Sequence, residues 1–259
     1  MGFHMSMNWI GLQTFILEEL GRVRRVWIQT LIAPWISALL YILIFGQIIG
    51  RRIGMIEGVS YIDFVVPGLL MLNVMQSSFG QTSSSLYFQR FAKHIEEILV
   101  APLSYLEMIA GYVIGGVVRG LLVAAGVYGI ALLFTVTSVT HLALFIFYAV
   151  AVALIFSLAG LLIGLWSESF EQLMIPQTFV IMPLTFLGGL FSSIHMLPER
   201  FQFLVRLNPF FYFVDGLRYS MVGISESNQA LGVVLIFGLV LGLGFWVWYL
   251  FKIGYKIRT

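Results

Sequence analysis

Six long apolar runs leave this chain few ways to fold. Each is near or above the roughly 20 residues that a bilayer-crossing helix needs. They lie at about 28–49, 61–81, 108–134, 141–166, 173–191 and 229–251. Hydrocarbon offers no water to backbone N–H and C=O groups, and a helix satisfies them within itself. The chain is 60% hydrophobic and 10% charged. A soluble domain carries about 25% charged residues, so this composition could not cover a water-facing surface. The expected fold is all-α, a single bundle of six transmembrane helices over residues 28–259. An N-terminal amphipathic helix and re-entrant helices between the fifth and sixth spans complete it.

The segments between the runs carry the detail. In residues 1–27, Trp9, Leu12, Phe15, Ile16, Leu20 and Val23 recur at helical spacing, with Glu18, Glu19 and Arg22 elsewhere. That pattern predicts a helix lying in the membrane interface, not a cleavable leader with a short apolar core. The opening Met-Gly-Phe-His-Met-Ser reads as an addition, with the native start at Met5 or Met7. A polar stretch at about 82–104 separates the second and third spans. Short turns at about 135–140 and 167–172 flank the fourth. Pro34 lies in the first span and Pro176 and Pro183 in the fifth, and the Gly188-Gly189 pair follows. We expect the fifth span to break there. Arg22, Arg24, Arg25, Arg90, Lys93, Lys252, Lys256 and Arg258 fall on one side of a six-span layout. Arg51, Arg52, Arg200, Arg206 and Arg218 fall on the other. The excess places both termini, and the segment around Glu96, in the cytoplasm.

Several chemistries are excluded or unsupported. The net charge of +2 does not point to nucleic acid. With no cysteine there is no disulfide framework, thiolate metal site or cysteine nucleophile. Lys93, Lys252 and Lys256 are the only lysines and none follows a glycine, so the chain has no P-loop. His4, His94, His141 and His195 have no metal-ligand spacing, and no metal site is expected. No serine directly precedes a glycine, which argues against a Gly-x-Ser-Gly nucleophile. No catalytic residue is assigned.

Four groups of residues remain as functional candidates. At about 89–103, Arg90, Lys93, Glu96 and Glu97 alternate with Phe91, Ile95, Ile98 and Leu99, and Pro102 stops the helix. Such an acidic, amphipathic segment suits a cytoplasmic partner. Arg119 is a charge inside a span, at a cost of about 2.5–3.5 kcal/mol on insertion scales. The neighbouring Gly111, Gly115, Gly116 and Gly120 allow close backbone approach, and Arg119 either pairs with protein groups or contacts substrate. Asn73, Gln76, Thr178 and Thr185 place polar groups in the second and fifth spans, where they line a pathway or bond between helices. At about 192–228 the chain is dense in aromatics, including Phe210, Phe211, Tyr212 and Phe213, interleaved with Asp215 and Arg218. They form either an interfacial belt or an outer gate. Asn208-Pro209 should divide two short helices, with Asp215 and Arg218 spaced to pair on the second.

The ordered stretches Tyr61–Leu69, Glu96–Pro102, Ala110-Gly111-Tyr112, Arg119-Gly120, Pro183–Phe191, Leu207-Asn208-Pro209 and Asp215–Arg218 together resemble the ABC-2 permease family. These are the membrane halves of ATP-driven exporters, including drug-resistance, nodulation-factor and surface-polysaccharide systems. The likeness covers nearly the whole chain and is greatest to compact bacterial permeases of the multidrug-export type. It implies the inner membrane of a bacterium and a dimer of permeases, with a separate ATPase that binds ATP and Mg. The segment at 89–103 then becomes a coupling helix seated on that ATPase. Pro34, Trp35 and the fifth span would face the partner protomer. The chain itself would hold no cofactor, and its remaining partner would be membrane lipid. An exporter of lipid-linked glycan, an ATP-independent carrier and a channel are the alternatives.

Overall fold

A computed structural model describes residues 8–257 apart from 101 and 136–138, and the side chains of 97–99 are outside it too. The proposed start at Met5 or Met7, and Arg258, therefore lie outside the described residues, as do the side chains of Glu97, Ile98 and Leu99. The chain is almost wholly helical, with six helices long and apolar enough to cross a membrane.

Helix α1 (Trp9–Arg25) begins at Asn8, whose side chain accepts from the Gly11 amide. Helix α2 (Ile28–Ile53) is the first span, with π-helical turns at Ile28–Ile32 and Ile42–Ile49. A two-stranded hairpin follows, β1 (Met55–Ile56) against β2 (Val59–Ser60). Its two-residue turn has positive φ at Glu57 and Gly58, the geometry that suits the twist of paired strands. Helix α3 (Tyr61–Phe91) is the second span, and α4 (Ile95–Val100) is a short helix after it. Helix α5 (Tyr105–Ala131), α6 (Leu142–Trp166) and α7 (Phe170–Leu187) are spans three to five. Helices α8 (Glu199–Leu207) and α9 (Pro209–Val222) precede the last span, α10 (Gln229–Ile253).

Helix α3 is the axis of the bundle. It is the most buried span and packs mainly on α6 and α5, then on α9. The fit depends on small residues. Thr82 Oγ1 donates to the Ser157 carbonyl at 2.8 Å, and any side chain at Gly116 or Gly160 would collide with Ser157, Thr82 or the α3 backbone. Small residues let helices approach closely where lipid removes the usual hydrophobic drive for association. By contrast α2, α7 and α10 leave most of their surface uncovered.

The structure corrects two boundaries. The second span does not end near Gln81; α3 continues to Phe91. Thr82, Ser83, Ser85 and Gln89 are buried. Their polar atoms bond to helix carbonyls or to the buried Glu19, so polarity here marks an interior face and not a loop. The fifth span breaks at the Gly188-Gly189 pair and not at Pro183. It passes Pro176 and Pro183 through a π-helical turn at Gln177–Ile181 and stops at Leu187, before Gly188 and Gly189. The wider turn comes just before Pro183, which has no amide to give to a regular ladder.

At the expected divide, Asn208 is extended, caps α9 through the Phe210 amide at 3.0 Å, and donates to the Leu184 carbonyl at 2.6 Å. Pro209 takes the first helical position, where its missing N–H costs nothing.

Candidate functional site

The coupling segment is built at one end of the bundle. Residues 89–103 are not one helix. Gln89, Arg90 and Phe91 are the last turn of α3, Lys93 makes a left-handed step, and α4 follows. Ile95 is buried and anchors α4, while Phe91, Lys93, Glu96, Val100 and Pro102 are exposed. Arg90 does not offer its charge outward. Its Nη1 donates to the carbonyls of Gly164 and Leu165 at 2.7 Å each, and its Nε to the Lys256 carbonyl at 2.8 Å. One guanidinium thus ties the end of α3 to the end of α6 and to the C-terminal tail. Beside it a cavity of about 250 Å³ is lined by Arg90, Lys93, Glu96, Glu168 and Lys256. Lys256 Nζ donates to Glu168 Oε1 at 2.7 Å, and that bond holds the exposed Glu168 carboxyl below its ordinary value. Phe88 and Phe170 meet edge to face at 4.7 Å and are both exposed, extending the apolar surface of this end.

A buried polar cluster lies next to it along α1. Glu19 is fully buried and accepts from Ser85 Oγ at 2.7 and 2.8 Å, Gln89 at 3.3 Å and Gln81 at 3.4 Å. Arg22 completes the site at 3.4 Å. Burial pushes the Glu19 carboxyl up, against the opposing pull of Arg22 and the Ser85 hydroxyl. Tyr112, edge to face with Phe15 at 4.9 Å, donates to Gln89 Oε1. In the sequence alone Glu19 reads as part of a polar helix face. The available signal was the serine- and glutamine-rich run facing it on α3.

Arg119 sits mid-span on α5. Its Nη1 donates to Gln81 Oε1 at 3.1 Å, and its buried Nε has no partner among the described residues. It lines a cavity of about 310 Å³ together with Pro34, Asn73 and Gln76. The remaining candidates for the pathway or dimer interface do not line this cavity. Trp35 turns into its own chain, donating from Nε1 to the Val123 carbonyl at 3.1 Å over the bare backbone of Gly126. Thr185 is buried and donates to the Ile181 carbonyl at 2.6 Å. Thr178 is exposed on α7.

At the other end, Phe210, Phe211 and Phe213 are buried, and Phe210 meets Phe156 of α6 at 5.4 Å. Tyr212 is half-buried and donates to the Arg206 carbonyl at 2.9 Å. The expected Asp215–Arg218 pair does not form. Arg218 pairs with Glu226 at 3.4 Å, lies 3.7 Å above the Phe64 ring, and donates to the Phe64 and Gly189 carbonyls. Asp215 instead accepts from the amides of Glu226 at 2.9 Å and Ser227 at 3.0 Å. Being one turn apart is not enough when the loop between α9 and α10 offers each a better partner. Glu57, His195 and Glu226 bring possible ligand atoms within 4.8 Å of one another, but Glu226 is already matched by Arg218.

Six apolar helices around a glycine- and serine-lined axis, with a polar cavity between spans and a short exposed helix at one end, define a polytopic α-helical membrane protein. The ABC-2 type transporter family model matches residues 11–222, and the chain belongs to that family. It is 41% identical over 235 residues to the inner membrane transport permease YadH of Escherichia coli (strain K12), covering 90% of this chain and 92% of that one. It is 24% identical over 201 residues to nodulation protein J of Rhizobium meliloti (strain 1021), covering 77% of each.

Proposed function

We propose that the chain is the permease subunit of an ATP-driven exporter in a bacterial inner membrane, with both termini cytoplasmic. Two copies form the pathway, and a separate ATPase supplies the work through α4. The observation that carries this reading is the build of that end. Lys93, on the step out of α3, and Glu96 and Val100 of α4 are exposed, yet Ile95 is buried in one apolar cluster with Leu86 of α3 and Leu165 of α6, and the Arg90 bonds tie the ends of α3 and α6 together. A push on α4 therefore reaches α3, the helix that lines the cavity between spans. Family membership and the permease name carried by a relative of 41% identity support the same reading. Helix α1, with Leu12, Phe15 and Val23 turned inward and Trp9, Ile10 and Leu17 exposed, fits an interfacial position.

The test is Lys93→Ala with Glu96→Ala, assayed for ATPase capture and for export at equal expression. Loss of both is expected. Normal capture with normal export would remove α4 as the coupling element.

A further inference from the structure

The cavity between the spans holds a charge that its own walls do not match. It opens between Ser37 and Tyr41 of α2, Asn73 and Gln76 of α3, Arg119 of α5 and Gln177 of α7. Apart from Arg119, the polar side chains that line it are amides and hydroxyls. Arg119 stands near the middle of Tyr105–Ala131, roughly 20 Å from either end at 1.5 Å per residue. It is too far from either end of the helix to reach it by stretching along the helix axis.

Its surroundings leave one edge of the guanidinium without a protein partner among the described residues, while the residue lines the cavity. Nη1 is used by Gln81 at 3.1 Å. Nε is buried without a partner among the described residues. Gln81 also separates Arg119 from the buried carboxylate, because its other amide atom, Nε2, donates to Glu19 Oε2 at 3.4 Å. The charge of Glu19 is answered by Arg22 at 3.4 Å, not by Arg119. The Nε–Nη2 edge that remains is the fork that binds carboxylate or phosphate oxygens in pairs.

We propose that this cavity binds the anionic headgroup of an amphiphile, a phosphate or carboxylate, on Arg119. A lone guanidinium at membrane depth is unfavourable unless paired. An anion matches that charge as well as its hydrogen bonds, a neutral acceptor supplies only the bonds, and a cationic group supplies neither. The apolar chain would leave over the uncovered face of α7, where Phe179 is exposed. Two sources share this chemistry, a resident lipid and a transported compound. That the anion is cargo rests on the export reading; that it binds does not.

The test uses the full-length permease purified in a neutral maltoside detergent, without ATPase. Radiolabelled dodecyl phosphate should bind at least tenfold more tightly than dodecyltrimethylammonium. Arg119→Gln should lower its affinity at least tenfold, Arg119→Lys should retain part of it, and Arg206→Gln should leave it unchanged. Ser37→Trp, which fills the cavity and keeps Arg119, should abolish binding; it decides the matter if Arg119→Gln does not fold. Phosphatidylglycerol that copurifies with the wild type, is absent from Ser37→Trp and competes with dodecyl phosphate would identify the anion as resident lipid. ATP-dependent movement of the alkyl phosphate in vesicles that hold the permease with its ATPase, without such competition, would identify it as cargo. Equal binding of the anionic and cationic probes, or equal affinity in Ser37→Trp, would overturn the proposal. Loss of ATPase capture with binding intact would count against the export reading alone.

Discussion

Arg218 and Glu226 form an ion pair, Nη1 to Oε2 at 3.4 Å, with both side chains sealed from solvent. The pair joins α9 to the loop before α10, and the other donors of Arg218 reach α3 and the turn after α7. Removing one partner of a buried pair leaves the other uncompensated, at about 3–5 kcal/mol. Arg218→Ala should therefore lower unfolding stability in detergent by that order. In double-mutant cycles Arg218 should couple to Glu226 by about 0.5–3 kcal/mol. A larger coupling between Arg218 and Asp215 would show that the pairing is misassigned.

Arg90→Ala should detach the tail and the end of α6 from α3. The arginine spreads its charge over the carbonyls of Gly164, Leu165 and Lys256. Hydrogen bonds to charged groups contribute about 1.5–3 kcal/mol, and a loss of that size is expected in equilibrium unfolding. Arg90→Lys should recover only part of it, since an ammonium cannot reproduce the fork. Full recovery by lysine would mean that the charge alone matters.

Stability should depend on the protonation of Glu19. Its carboxyl is raised above 4.5 by burial, so the folded state holds the proton more tightly than the unfolded state. This contribution is fully present below about 4.5 and is lost as pH rises through the folded value. Glu226 is raised for the same reason and acts in the same direction. Glu19→Gln should remove one share of the pH dependence and leave the rest. An unchanged slope of melting temperature against pH would exclude Glu19 as a titrating group.

Gly126→Leu should displace α2. A side chain there would meet the indole of Trp35 and break its bond to Val123. Overpacking of this kind costs about 1–3 kcal/mol. Trp35→Ala in the Gly126→Leu background should recover part of the loss. No recovery would mean that the contact is not the source.

The second copy of the permease is expected along the uncovered edge of α2. Ile36, Leu40, Ile44 and Ile48 are exposed at four-residue spacing, while Ala38 and Ile42 are buried. Because the chain has no cysteine, single replacements report cleanly. Cysteines at the first four positions should crosslink between copies in membranes, and those at 38 and 42 should not. The reverse pattern would place the interface elsewhere.

What the sequence determined by itself was whatever depends on runs and on local chemistry. The six apolar runs set six helices, since length and hydropathy alone decide what can cross hydrocarbon. Asn208-Pro209 marked a helix boundary because a proline restricts its own residue and the one before it. Tertiary structure decided which way side chains face. The polar run from Thr82 to Gln89 reads as a loop, and became the inner face of α3 only because Glu19 lies opposite it. Nothing local to Trp35 sets where its indole goes, and it packs within the chain because Gly126 on another helix leaves room for it. Asp215 and Arg218 share a helix face, yet the loop that folds over them supplies different partners. Periodicity specifies a face but not its neighbour, and the neighbour decides whether a polar group is solvated, paired or left open, as Arg119 is.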